Sequence, residues 1–203
     1  MSAGEGMLGA LDAIRTLRSV RRFRPDPIPD DALATILEAA TRAPSGGNGQ
    51  PWQFIVLRDP ELKRRVGAIY EAAARSRYGE LPFQATRLGP PTPVGEAPLL
   101  ILVCRRTLDP PIATSTPSLY ASIYPAVQNL LIAARALGIG GALTTMHIMR
   151  EAELKPLLGI PDDVETCALL PLGYPRGRFG PTSRRPWTEV TFLNRWGQPI
   201  APS

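Results

Sequence analysis

The six residues Leu99–Cys104, LLILVC, are apolar without a break or an alternation. Side chains on a strand point by turns to its two faces, so a run with no polar residue at every second position reads as a fully buried strand. The chain has the apolar material to bury it. Of its 203 residues 44% are apolar and 20% charged, the balance of an ordinary globular protein and not of a disordered, collagen-like or coiled-coil chain. At this length one domain spanning residues 1–203 is expected. The same run is the longest uninterrupted apolar stretch, and a membrane-spanning helix needs about 20 residues, so no membrane span is expected. Met1–Ala10 is glycine-rich, with neither a basic start nor an apolar stretch, and does not read as a signal peptide. The expected location is the cytoplasm.

Around that strand the pattern alternates between helix and strand. A first helix is expected over Leu8–Arg18. The segment Val20–Pro29, VRRFRPDPIP, carries three prolines that exclude a helix interior and favour an extended path over a surface. Asp30 reads as the N-cap of a second helix, with Asp31 at its positive end and Leu33, Ile36, Leu37 and Ala40 on one face, ending near Pro44. Gln53–Leu57 reads as a strand, and Asp59–Arg77 as a long helix capped by Asp59 with proline in its first turn. Tyr78–Pro98 holds five prolines and three glycines and no period. An irregular stretch of that length is expected to be a lid or binding loop. Ser118–Leu137 is an apolar helix in which Pro125 predicts a kink or a stepped start. Gly140–Thr145 reads as a short strand or turn, Arg150–Leu158 as a short helix closed by Gly159, and Val164–Leu172 as the last core strand. The tail carries Val190, Phe192, Leu193 and Trp196 far from the core, and a partner subunit is one surface for it to lie against.

Several chemistries are excluded early. There are two cysteines and one histidine in the whole chain, with no CxxC or HxxxH spacing, so a usual zinc site and a Ser-His-Asp apparatus are not expected. Cys104 and Cys167 sit in apolar strands as small buried thiols. His147 reads as a packed histidine before it reads as a catalyst. The net charge of +5 comes almost wholly from 21 arginines against Lys63 and Lys155, which favours forked contact with an anion over diffuse attraction.

Five of those arginines fall in RTLRSVRRFR, residues 15–24. Three readings compete: a solvated helix face, a nucleic-acid patch, and a phosphate site in which Arg18, Ser19 and Arg21 present donors to a dianion. The nucleic-acid reading is weak, since only Phe23 interleaves with the cations. APSGGNGQPW, residues 43–52, offers small residues and the hydrogen-bonding side chains of Ser45, Asn48 and Gln50, as a plain helix-ending turn would. GIGGALTT, residues 138–145, contains a GxG but has Leu143 where a dinucleotide fingerprint has Gly or Ala, and it follows a helix. The Rossmann reading is therefore poor, while glycines at a helix end with threonines beside them remain consistent with contact to a ring carbonyl or phosphate.

Taken in order, RSVRRFRPDPIP, APSGGNGQPW, YPAVQNLLIAARALGIGGALTT, LGIP, LLPLGYP and SRRP resemble the nitroreductase family of FMN-dependent NAD(P)H oxidoreductases, from about Ile14 to Trp196. The resemblance implies an α+β fold, a central, mostly antiparallel sheet flanked by helices, in an intertwined homodimer with flavin sites at the subunit interface. It implies FMN as cofactor, NAD(P)H as donor, and a small-molecule acceptor such as a nitroaromatic, quinone or enone reduced by ping-pong turnover. No nucleic acid, membrane or metal is implied. Arg18 and Ser19 would face the phosphate and ribityl chain, and Arg21 the pyrimidine edge of the ring, where its charge serves catalysis. Pro44, Ser45 and Asn48 match a segment that reaches the flavin from the other subunit. Thr144 and Thr145 match the strand end beside the ring, and Arg184 the late phosphate-binding arginine, with Arg185 its neighbour. Many members carry RRS where this chain has Leu17 in place of the first arginine, which shifts phosphate binding onto Arg18 and Arg184. The implied lid is residues 78–98, and the implied partner-packing tail residues 187–203. Reductive dehalogenation, flavin destruction and flavin binding without catalysis are the alternatives the same family allows.

Overall fold

The unalternating run lies in the interior of a four-stranded sheet. The computed structural model describes residues 8–79, 91–108 and 115–200. Its strands are β1 (Trp52–Leu57), β2 (Leu99–Arg106), β3 (Gly140–Gly141) and β4 (Val164–Gly173), in the spatial order β1-β2-β4-β3. Every pairing is antiparallel, with Leu57 opposite Leu100, Leu99 opposite Leu172 and Gly140 opposite Gly173. The helices are α1 (Ala10–Thr16), α2 (Asp30–Thr41), α3 (Pro60–Tyr78), α4 (Thr116–Tyr120), α5 (Ile123–Ala136) and α6 (Glu151–Leu158).

The two faces of β2 feed two separate cores. Leu99, Ile101 and Val103 pack with Ile36 and Ala40 of α2 and Ile123, Val127 and Leu130 of α5. Leu100, Leu102 and Cys104 pack on the other side with Val66 of α3 and Leu154 of α6. This is why the segment lacks polar alternation: both faces are roofed by helices, and each buried leucine contributes about 1.5–3 kcal/mol relative to leaving it in water. The register slips between Val103 and Cys104, which face Ala168 and Thr166 and leave Cys167 as the extra residue. Cys167 and Ala168 consequently enter the same core, as a bulge requires. Burial pushes both cysteine thiols up to about 12, so they are inert packing groups at neutral pH.

The helices follow local rules with two differences. Asp59 Oδ1 accepts from the Leu62 N–H at 2.7 Å, with Pro60 in the first turn of α3, as the sequence implies. The N-cap of α2, however, is Pro29, and Asp30 is already helical, where its carboxylate pairs with Arg58 at 2.6 Å. The first helix stops at Thr16, two residues short of Arg18, because the chain there turns into an extended path: the Val20 N–H donates to Gly141 O at 2.8 Å. As Pro125 implies, the long apolar helix begins in steps, α4 and then α5, with Pro125 in the first turn of α5, where a missing N–H costs no intrahelical bond.

Of the expected lid, residues 80–90 lie outside the described residues. The part that follows them is fastened down. Thr92 N–H donates to Arg21 O at 2.8 Å, and Thr92 Oγ1 accepts from Phe23 N–H at 3.0 Å. The 3-10 turn Val94–Glu96 touches α3 backbone to backbone: a Cβ on Gly67 would lie 2.5 Å from Gly95 N. Residues 91–98 thus form a wall and not a free flap.

Candidate active site

The extended segment after α1 and the chain beyond β4 run side by side, which brings the two ends of the sequence together. Arg24 N–H donates to Tyr174 O at 2.8 Å and Arg176 N–H to Arg22 O at 3.0 Å, while Arg176 Nε donates to Phe23 O at 2.8 Å. Further along, Phe179 lies under the Arg135 guanidinium of α5, 3.9 Å from Cζ to the ring centroid, and Thr182 N–H donates to Arg15 O of α1 at 3.4 Å. Arg135 in turn donates to Thr16 Oγ1 at 2.9 Å. These contacts carry residues 179–184 across the end of α1.

The result is a cleft of about 740 Å³ lined by Arg18, Ser19, Gln128, Gly141, Thr182 and Arg184, among others. Three residues read from the sequence as phosphate-facing therefore line one cleft, although Ser19 and Arg184 lie 165 positions apart in the chain. Among the described residues neither Arg18 nor Arg184 pairs with a carboxylate; Arg184 Nη1 donates only to the Ser183 carbonyl at 2.8 Å. Forked cations without acidic partners, beside a hydroxyl, are the donor set a phosphomonoester needs. The floor is glycine for a packing reason. A Cβ on Gly141 would press on Leu172 and lie 3.0 Å from Pro171 O, and one on Gly140 would meet Val20 at 2.6 Å. The residues present fit the phosphate and ribityl chain of FMN.

A second cleft, of about 450 Å³, meets the first at Ala142. Arg21 and Thr144 line it, as do Phe23, Pro93, Val94 and Pro171, so its walls are largely apolar. Thr144 is fixed by an antiparallel bridge to Leu169: its N–H donates to Leu169 O at 3.0 Å and its hydroxyl to the same oxygen at 2.9 Å. Three residues of α3 that sequence reasoning missed, Tyr70, Glu71 and Arg75, complete this cleft. The helical pattern of α3 gave them no distinguishing mark, because only the fold turns that face toward the strand end. Burial pushes the Tyr70 hydroxyl above its usual range, and the Thr144 hydroxyl and the Arg21 charge offset this in part, so Tyr70 stays a protonated donor at neutral pH.

Other expected residues lie elsewhere in the single chain. Thr145 caps the 3-10 turn Met146–Arg150, its carbonyl accepting from Ile148 N–H at 3.1 Å. Pro44, Ser45 and Asn48 line neither cleft. They belong to a tight turn in which Ser45 Oγ accepts from Gln50 N–H at 3.1 Å and Asn48 and Gln50 adopt positive φ. His147 is fully buried, as a packed histidine should be, yet neither ring nitrogen has a hydrogen-bond partner among the described residues. Burial pushes it down to about 4, so it is neutral at pH 7. Trp187, Val190 and Leu193 are exposed, and Trp196 is 91% exposed. Among the described residues there is no cluster of metal ligands and no helix long and apolar enough to cross a membrane.

Known proteins resemble this chain over most of its length. Residues 14–174 match the family model described as the nitroreductase family. The chain is 31% identical to an NADH dehydrogenase of Thermus thermophilus over 94% of this chain and 98% of that one. It is 33% identical to the 5,6-dimethylbenzimidazole synthase of Rhodospirillum rubrum over 89% and 92% of the two chains. Among solved structures, a protein of Desulfovibrio desulfuricans in complex with FMN superposes with a TM-score of 0.70 at 32% identity, covering 93% of this chain and 98% of that one. An oxidised iodotyrosine deiodinase bound to FMN and 3-iodo-L-tyrosine superposes with a TM-score of 0.72 at 27% identity, over 94% and 100%.

Proposed function

This chain belongs to the nitroreductase family, and we propose that it is an FMN-dependent oxidoreductase that draws electrons from NAD(P)H and delivers them to a planar acceptor of the nitroaromatic, quinone or enone class. The observation that carries this reading is the meeting of Arg18, Ser19 and Arg184 in one cleft, without carboxylate partners among the described residues, beside a largely apolar cleft that shares Ala142 with it. FMN supplies reversible acceptance and release of an electron pair when bound.

The chain's own residues do the rest. Arg18 and Arg184 hold the phosphate from opposite ends of the sequence, with Ser19 donating beside them. Arg21 sets a positive charge at the wall of the second cleft, where it stabilises negative charge as an oxyanion hole does. Thr144, held by two bonds to Leu169 O, offers a rigid polar edge to the ring. The apolar walls exclude water and let nicotinamide and acceptor occupy the same place in succession, which is ping-pong turnover. Pro44, Ser45 and Asn48 serve the cleft of a second copy in a homodimer. The exposed tail, residues 187–200, lies on that copy, which gives Trp187 and Trp196 an apolar surface to cover.

The test is a visible spectrum of the purified protein followed by anaerobic addition of NADH or NADPH. A yellow protein with one FMN per subunit, bleached by a nicotinamide and recoloured by a quinone or nitroaromatic, is the expected outcome. A colourless protein that takes up no FMN on titration overturns it. Likeness to a deiodinase and to a 5,6-dimethylbenzimidazole synthase makes a second reading specific: a flavin that is reduced but gives its electrons to none of these acceptors points to dehalogenation or flavin cleavage.

A further inference from the structure

We infer that the polar face of α3 selects acceptors that carry a carboxylate, with Arg75 as the residue that reads it; this rests on the functional reading above. The second cleft, at about 450 Å³, has the size of a small-molecule site, and most of its lining, including Phe23, Pro93, Val94 and Pro171, is apolar and suits a flat ring. Among the described residues its charged groups are Arg21, Arg75 and Glu71, two cations against one anion. Arg75 and Glu71 lie one helical turn apart and touch only loosely, Nη2 to Oε2 at 3.5 Å, with the Arg75 side chain 67% exposed. A guanidinium carries five donors in a flat fork, so this contact leaves most of them available to a ligand.

The balance of charge narrows the ligand. A cationic acceptor would meet two guanidinium groups. A dianion such as a phosphomonoester would gain from Arg75 but be repelled by the Glu71 carboxylate beside it. A planar monoanion balances the net single positive charge with half the repulsion from Glu71, and a carboxylate matches the guanidinium fork in shape as well as in charge. Tyr70, protonated at neutral pH, adds a neutral donor on the same helix. Arg75 is thus a specificity-determining residue, remote from the phosphate cleft.

The experiment uses the FMN-loaded protein in its oxidised form. Benzoate and benzamide, near-identical in shape and different in charge, are titrated calorimetrically. Benzoate is expected to bind about tenfold or more tightly, the worth of one charge-assisted contact. Arg75→Ala brings the ratio close to one, and Glu71→Gln raises benzoate affinity severalfold by removing the like charge. Arg65→Ala, which removes the same charge from the same helix but outside the cleft, leaves the ratio unchanged. In turnover, 4-nitrobenzoate should show a lower KM than 4-nitrobenzamide. Each cycle consumes one NAD(P)H and one proton, and the nitro group loses one oxygen as water to give the nitroso compound. Equal binding of benzoate and benzamide by the wild type, or a preference that survives Arg75→Ala, overturns the inference. If flavin reduction by NAD(P)H is normal in that case, the functional reading stands and this one alone fails; a protein that takes up no flavin sinks both.

Discussion

The two clefts that meet at Ala142 are made in opposite ways. The larger is assembled from the ends of the chain, Arg18 and Ser19 after α1 and Thr182 and Arg184 near the C-terminus, across a glycine floor. The smaller sets α3 and residues 91–94, from the middle of the chain, against Arg21 and Phe23 of the extended segment and Thr144 and Pro171 of the sheet. The first offers Arg18 and Arg184, which have no carboxylate partner among the described residues, and the second offers largely apolar walls with a loosely engaged ion pair at 3.5 Å. A site that must grip the same anion in every turnover is built from fixed charge. A site that must admit one molecule after another is built from surface.

The distinction can be attacked through the groups that support each cleft. His147 stands two residues after Thr145, on the 3-10 turn that packs against α3, and it is buried without a partner for either nitrogen among the described residues. Burial lowers its folded value from 6.5 to about 4. The unfolded chain therefore binds the extra proton between those values, so this contribution to stability is complete above about pH 6.5 and is lost as pH falls toward 4. Urea unfolding should show a fall of about 2 kcal/mol between pH 7 and pH 5 from this group, out of about 3 kcal/mol in all. His147→Leu should flatten that part of the profile. A slope unchanged by the substitution would remove His147 from the account.

Removing Arg18 or Arg184 as alanine should weaken FMN binding about 10–100-fold, the cost of losing charge-assisted hydrogen bonds of about 1.5–3 kcal/mol. Arg21→Ala should instead slow flavin reduction more than it loosens FMN. Stopped-flow reduction and FMN titration separate the two, and equal effects from all three substitutions would erase the division of roles. Gly141→Ala attacks the wall of the larger cleft. Its Cβ would press on Leu172 and on the carbonyl of Pro171, a residue of the smaller cleft, so stability should fall by about 1–3 kcal/mol and FMN binding should weaken. Unchanged stability and FMN affinity would mean that the close approach there is not required. Smallest is Tyr70→Phe, which removes one neutral donor. Acceptor kcat/KM should fall by about 2–10-fold with the nicotinamide half-reaction unchanged, a change of about 0.5–1.5 kcal/mol.

How much of this was legible in the sequence follows the same division. Buried strands announce themselves, and Leu99–Cys104 could be read because coverage on both faces erases alternation. Asp59 and Pro60 marked the start of α3 by chemistry that is wholly local. Arg18, Ser19 and Arg184 were legible through the ordered motifs of the family resemblance, although no local rule brings residues so far apart together. The start of α2 was misread by one residue because Asp30 looks like a cap until the tertiary pair with Arg58 takes its carboxylate. Tyr70, Glu71 and Arg75 were not legible at all. They sit in a helix whose pattern is dictated by Val66, Ala73 and Ala74 on its buried face, and a helix's exposed face acquires meaning only from what the fold sets opposite it.

The central claim is that guanidinium groups from both ends of the chain hold the phosphate of FMN. Titrating flavin-free protein with FMN and with riboflavin, which lacks only that phosphate, measures it directly. FMN should bind the wild type at least about 100-fold more tightly, and Arg184→Ala should reduce that margin about tenfold or more while leaving riboflavin affinity unchanged. Equal affinity for the two flavins, or a margin that Arg184→Ala does not alter, would contradict the account.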